Sequence, residues 1–139
     1  MNSDTDTNER LVRHAMDSLV RGELASARDC FGPDFVYHLR AYQRTVHGAD
    51  AFIELLSGYY RQAQNFRSDV LRLVASGDSV AIEGHESYEL DGKAVSYAFA
   101  SWVRLSGGRI VEWADYFDSR TVAKQLKAGA PQGGARRSR

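Results

Sequence analysis

Cysteine is nearly missing from this chain. Cys30 stands alone among 139 residues, which excludes an intramolecular disulfide and a thiolate metal cluster and suits a reducing, cytoplasmic setting. Its neighbours, Ala27-Arg28-Asp29-Cys30-Phe31, read as a short amphipathic helix, so the thiol is expected as a small buried hydrophobe rather than a nucleophile. Net charge is missing too. Eighteen basic side chains balance eighteen acidic ones, so no overall field points to nucleic acid or to an anionic membrane as a partner. No apolar run approaches the ~18 residues of a membrane span, and Met1-Asn2-Ser3-Asp4-Thr5-Asp6 lacks the basic and apolar regions of a signal peptide. With no Gly-rich phosphate loop, metal-ligand cluster or flavin motif in the sequence, neither a cofactor nor a metal is expected.

What is present describes one globular domain. The length allows about two-thirds of the unfolded surface to be buried, and 43% hydrophobic with 26% charged residues is an ordinary globular composition. The charge balance is uneven along the chain. Residues 127–139 hold Lys127, Arg136, Arg137 and Arg139 and no acid, which leaves fourteen positive against eighteen negative charges in residues 1–126. The expectation is a single acidic domain over 1–126 and a basic, disordered tail over 127–139, where Gly129-Ala130-Pro131-Gln132-Gly133-Gly134 breaks all regular pattern.

Periodicity supplies the elements. Leu11, Val12, Ala15, Met16, Leu19 and Val20 make one helical stripe, opened by a capping box of Asp6 and Glu9 and closed by Gly22. A short helix over Leu24 to Phe31 stops at Gly32-Pro33, a strand covers Phe35 to Leu39, and a long helix runs from about Asp50 to Gln64. Four strands follow, over Phe66–Ala75, Ser79–Leu90, Ala94–Leu105 and Arg109–Asp118, parted by Gly77-Asp78, Asp91-Gly92 and Ser106-Gly107-Gly108. A last helix begins at Thr121 and reaches about Ala128. This order is an α+β fold, a curved antiparallel sheet wrapped around a long helix to enclose an apolar cone that can take a ligand.

Strand alternation then assigns faces. Val111, Trp113, Asp115 and Phe117 form one set on the last strand, with Ile110, Glu112, Ala114 and Tyr116 on the other. Asp115 is thus a single carboxylate among apolar residues, and a buried charge needs a partner or a purpose. Val80, Ile82, Gly84, Glu86 and Tyr88 share the inward face of another strand, which makes Glu86 a second enclosed acid. Two carboxylates in one apolar pocket drive their protonation apart, so one can serve as acid and the other as base. Tyr37, inward with Phe35 and Leu39, is placed to orient a water or polarise a substrate oxygen. Tyr97, Phe99 and Ser101 face inward on the strand before the last, while His38 and His85 fall on outward faces and His14 lies beside the first helical stripe, within reach of the opening. Outward Ala81, Ala98, Ala100 and Trp102 make the outer sheet face apolar enough for a homodimer.

The element order and the ending Gly107-Gly108-Arg109-Ile110-Val111-Glu112-Trp113-Ala114-Asp115-Tyr116-Phe117-Asp118 resemble the nuclear-transport-factor-2-like superfamily over about residues 8–126. Within it the chain is similar to SnoaL-like proteins, a group that includes polyketide cyclases, and to the limonene-epoxide-hydrolase type. The resemblance implies a cystatin-like cone. From the epoxide-hydrolase type it puts a water-activating aspartate on Asp115, a water-binding tyrosine on Tyr37 and the proton-donating acid on Glu86. It also puts the water-binding asparagine on Leu39 and a bridging arginine on Gly84, two departures from the pattern. With no arginine to clamp them, the two acids are expected to share one proton, and Gly84 to open space for a larger, neutral substrate. SnoaL-like cyclases are similar in placing an acid on the last strand, again Asp115.

The sequence thus points to a cofactor-independent acid/base enzyme, a cyclase or isomerase of a hydrophobic polyketide-like or terpenoid-like molecule, with Asp115, Glu86 and Tyr37 as catalytic residues. Tyr59, Tyr88, Tyr97, Phe99, Trp113, Phe117 and Gly84 would contact the substrate. Epoxide opening and a non-catalytic binding or dimerisation domain are the alternatives.

Overall fold

A computed structural model of the chain describes residues 3–128. Its first helix, α1 (Ser3–Arg21), begins a turn earlier than the Asp6/Glu9 box would allow. Asp4 and Asp6 therefore lie inside the first turn, where they complement the helix dipole instead of capping it. The helix ends where expected. Gly22 adopts φ 77°, its N–H donates to the Leu19 carbonyl at 3.2 Å, and the Glu23 N–H reaches back to Ser18 at 2.9 Å, the paired bonds of a Schellman cap.

The second helix, α2 (Leu24–Arg28), is shorter than expected, because Phe31 is taken into a strand. That strand, β1 (Phe31–Leu39), carries Gly32-Pro33 within it rather than after a helix end. Proline offers no N–H to a ladder, and the pairing skips accordingly. Phe31 lies opposite Ile110 and Val36 opposite Glu112, so five residues of β1 span what two cover on the neighbour. Cys30, in the preceding turn, is buried as expected, and its carbonyl accepts the Ile110 N–H at 2.8 Å.

A 3-10 turn (Arg40–Tyr42) and a short strand, β2 (Arg44–His47), both unforeseen, lead to the long helix α3 (Ala49–Gln62). The chain then runs through β3 (Gln64–Ser76), β4 (Ser79–Leu90), β5 (Lys93–Ser106) and β6 (Arg109–Phe117), ending in α4 (Ser119–Ala128). At the Asp91-Gly92 hairpin both residues have positive φ, 53° and 78°, the handedness that matches strand twist. The six strands form one sheet in the order β2-β1-β6-β5-β4-β3. All neighbours are antiparallel except β1 and β6, which are parallel, so the α+β fold is as expected and its sheet is mixed.

Register breaks in β3, between Gln64 and Arg67 and between Val70 and Arg72, help a long strand bend around α3. Another break, between Arg104 and Leu105, makes Val111 the unpaired residue of β6. It corrects one face assignment, since Ile110, expected outward, is fully buried. Past the bulge the alternation holds, and Trp113 is buried. On β5 it is uninterrupted, with Val95, Tyr97, Phe99, Ser101, Val103 and Leu105 all buried. The core at the closed end of the cone is aromatic. Phe31, Phe35, Tyr37 and Phe52 meet with ring centroids 4.5–5.5 Å apart, each buried ring adding about 1.5–3 kcal/mol. No helix among the described residues is long and apolar enough to cross a membrane. The expected disordered tail lies mostly in residues 129–139, outside the described ones.

Candidate active site

The concave face of the sheet and one side of α3 enclose a cavity of about 290 Å³. Val20 and Tyr42 line it while being 40% and 53% exposed, which marks its opening. Both expected acids line it, and among the described residues no lysine, arginine or histidine does.

Asp115 is held by three donors. The Tyr37 hydroxyl donates to Oδ2 at 2.6 Å. The Ser101 hydroxyl and the Trp113 indole N–H donate to Oδ1 at 2.6 and 2.9 Å. Strand pairing explains the convergence. Ser101 is directly opposite Asp115 across β5 and β6, Trp113 precedes it by two on the same face, and β1 brings Tyr37 opposite Trp113 from the other side. Burial raises the Asp115 carboxyl above its ordinary value, and the three hydrogen bonds oppose that by favouring the ionised form. A carboxylate offers about four acceptor positions; three are filled, and the open one is on Oδ2.

Glu86 occupies a different setting. Tyr97, its partner across β5, donates to Oε1 at 2.5 Å, and Ser68, its partner across β3, donates to Oε2 at 3.1 Å. Burial first, and then the charge of Asp115, push the carboxyl up to about 7, against the two hydrogen bonds. Near neutrality Glu86 therefore holds its proton part of the time. The phenols around the acids are pushed well above the usual tyrosine range, Tyr37 and Tyr97 by burial and then by the neighbouring carboxylate, so they remain donors.

Two expectations fail. The acids do not share a proton, because each has its own donors and no hydrogen bond joins them. Tyr97 and Ser101, which hold them, are four residues or roughly 13 Å apart along β5, with Phe99 between. Their coupling is through space. Nor does Gly84 open the cavity, and it does not line it. The Phe99 ring fills the place of its side chain, and a Cβ there would also come within 2.7 Å of the Asp69 carbonyl. Gly84 is required by the packing of Phe99, which does line the cavity along with Tyr59, Tyr88, Tyr97, Trp113 and Phe117.

His38 and His85 stand on the outer face as expected, His38 against Glu112 at 2.9 Å and His85 against Ser96 at 3.0 Å. His14 does not reach the opening; it is turned to Ser26 at 2.8 Å. Sequence reasoning overlooked three contributions. Ser68 was hidden by the register breaks of β3. Tyr60 lines the cavity and feels the charge of both acids, and its place on the helical stripe was the available signal. Val122 and Leu126 of α4 also line the cavity, which the amphipathic spacing of that helix suggested without saying what it covers. Among the described residues no group of three or more His, Cys, Asp or Glu could hold a metal ion.

Comparison with solved structures shows where this architecture recurs. An LEH-like epoxide hydrolase of M. tuberculosis is similar with a TM-score of 0.76 and 22% identity, covering 90% of this chain and 96% of that one. A protein assigned as a SnoaL-like polyketide cyclase from Shewanella denitrificans OS-217 gives a TM-score of 0.79 at 14% identity, covering 87% and 97%. A protein with a ketosteroid isomerase-like fold from Catenulispora acidiphila, in complex with trimethylamine, gives 0.75 at 18% identity, covering 91% and 97%. At such identities the likeness speaks for the fold alone. No curated protein matches the sequence. The profile of the SnoaL-like domain, however, matches residues 12–113, from the buried stripe of α1 to the tryptophan that anchors Asp115, and the chain belongs to that family.

Proposed function

We propose that the protein is a cofactor-independent acid/base enzyme that cyclises or isomerises a hydrophobic, polyketide-like or terpenoid-like molecule. One observation carries the reading: two carboxylates of one apolar cavity have unequal hydrogen-bond support, three donors on Asp115 and two on Glu86. Unequal support assigns unequal roles. Asp115, the better stabilised anion, acts as base and takes a substrate proton through the open position on Oδ2. Glu86, protonated part of the time near neutral pH, acts as acid and returns a proton at a second position of the substrate. The two acids end the cycle with exchanged protonation and are reset from solvent. Tyr37 positions Asp115 and, once Asp115 has taken the substrate proton, can turn its single O–H to a developing oxyanion; Trp113, Phe99 and Phe117 give the substrate an apolar wall.

Epoxide opening is the second reading, favoured by the open Oδ2 position beside the Tyr37 hydroxyl, which could equally hold an attacking water. Replacing Asp115 by Asn separates these readings from a binding domain. An enzyme loses about 10²–10⁴-fold in turnover while folding normally, whereas unchanged turnover removes Asp115 from the chemistry. Labelled oxygen from water appearing in the product would select hydrolysis over isomerisation.

A further inference from the structure

The cavity contains two carboxylates and, among the described residues, no side chain to balance them. Among the described residues no lysine, arginine or histidine lines it, and its acids enter none of the salt bridges. Every donor to Asp115 and Glu86 is a neutral hydroxyl or indole. An enclosed carboxylate without a counter-charge is costly, and a ligand that carries a positive charge relieves that cost where a neutral one does not.

The surroundings of Glu86 are built for such a charge. Tyr59 and Tyr88 meet at 86° with ring centroids 5.3 Å apart, and Tyr88 and Tyr97 at 79° and 6.3 Å. All three rings line the cavity, and their near-perpendicular pairs make an aromatic corner in which a cation is attracted by the ring face it meets. Glu86 lies at that corner, accepting the Tyr97 hydroxyl on Oε1 and the Ser68 hydroxyl on Oε2, and each oxygen retains one acceptor position. We propose that this corner is an ammonium subsite, in which the protonated amine or quaternary ammonium group of a compact hydrophobic ligand packs on Tyr59, Tyr88 and Tyr97 with Glu86 as its counter-ion. An N–H of a protonated amine donates to a free acceptor position of Glu86, and the alkyl groups rest on the ring faces. Carboxylate and phosphate ligands are turned away by the same charge. The inference rests on the function proposed above for the ligand being a substrate, and it replaces the neutral substrate expected from the sequence with a cationic one. It makes Glu86 the counter-ion rather than the proton donor in that complex, leaving Asp115 to return the proton it takes.

The test is a pair of probes of equal shape, benzyltrimethylammonium and its uncharged carbon isostere neopentylbenzene, titrated by ligand-observed NMR at about pH 8, where Glu86 is ionised. The cation is expected to bind about tenfold tighter than the isostere. The preference should fall to about threefold or less in Glu86→Gln, which keeps the shape and removes the charge. It should fall likewise in the unaltered protein at about pH 5.5, an arm that does not depend on the variant folding. The titratable groups facing Glu86 are Tyr97 on β5, Tyr59 and Tyr60 on α3, Tyr37 on β1 and Asp115 on β6. The tyrosines stay neutral through this range; Asp115 also attracts the cation, so the Glu86→Gln arm, in which Asp115 is unchanged, assigns the preference to Glu86. Equal or tighter binding of neopentylbenzene, a cation preference that survives in folded Glu86→Gln, or one that survives at low pH overturns the assignment. If it is overturned while Asp115→Asn still abolishes turnover, the acid/base reading stands and only the ammonium subsite falls.

Discussion

Glu86 should impose a pH dependence on stability that a single substitution removes. In the unfolded chain its carboxyl titrates near its ordinary value of 4.5, and in the folded protein burial and Asp115 push it up to about 7. Between those values the folded protein keeps a proton that the unfolded chain has lost, so the native state binds more protons and stability falls as pH rises. The loss begins near 4.5 and is complete once both forms are ionised, above about 7. A separation of roughly 2.5 pH units at about 1.36 kcal/mol per unit makes the total about 3 kcal/mol, or about 10 °C in Tm for a domain of this size. The assay is urea unfolding of the native protein and of Glu86→Gln at about pH 4 and pH 8. Glutamine fills the same space, accepts the Tyr97 hydroxyl through its carbonyl and donates an amide N–H to the Ser68 hydroxyl oxygen, but does not titrate. Asp115 is present in both proteins, so most of its contribution drops out of the difference. The stability of the variant relative to the native protein should therefore rise by about 3 kcal/mol from the acid to the alkaline end. Parallel curves for the two proteins would mean that the Glu86 carboxyl is solvated, and the assignment of Glu86 as an acid poised near neutrality would go with it.

Other expectations follow from the same geometry. Gly84→Ala should cost about 3 kcal/mol or somewhat more in urea unfolding, because the new methyl meets the Phe99 ring and the Asp69 carbonyl; an unchanged midpoint would show that Phe99 yields freely. Tyr37→Phe removes one of three donors that favour ionised Asp115. The acidic limb of kcat/KM should move up by about one pH unit, and an unmoved limb would detach Tyr37 from the base. For the outer sheet face, where Trp102 and Tyr116 are 46% and 47% exposed, sedimentation should find a dimer that Trp102→Glu dissociates. A monomer at every concentration would end that expectation.

Strand alternation, turn chemistry and helical stripes were legible in the amino-acid sequence because they are local. A two-residue period needs no partner to be read, so Asp115, Glu86, Tyr37 and the alternate residues of β5 could be placed on the inner face before any fold was known. Gly22 and Asp91-Gly92 announced their turns for the same reason, since positive φ is a property of the residue. What escaped depends on pairing between distant segments. Phe31 became strand because Ile110 was there to pair with it, against the short-range signal of Gly32-Pro33. Ile110 turned inward because a bulge opposite Arg104 and Leu105 shifted the register by one, and Ser68 met Glu86 only through breaks in β3. Gly84 is the sharpest case. Alone it reads as open space, yet the tertiary structure fills that space with Phe99 from the adjacent strand. The sequence therefore determined that Asp115, Glu86, Tyr37 and most of the aromatic wall face the cavity. Only the tertiary structure decided that the two acids stand apart with separate donors and that no described side chain in the cavity opposes their charge, because these depend on the register and curvature of a whole sheet.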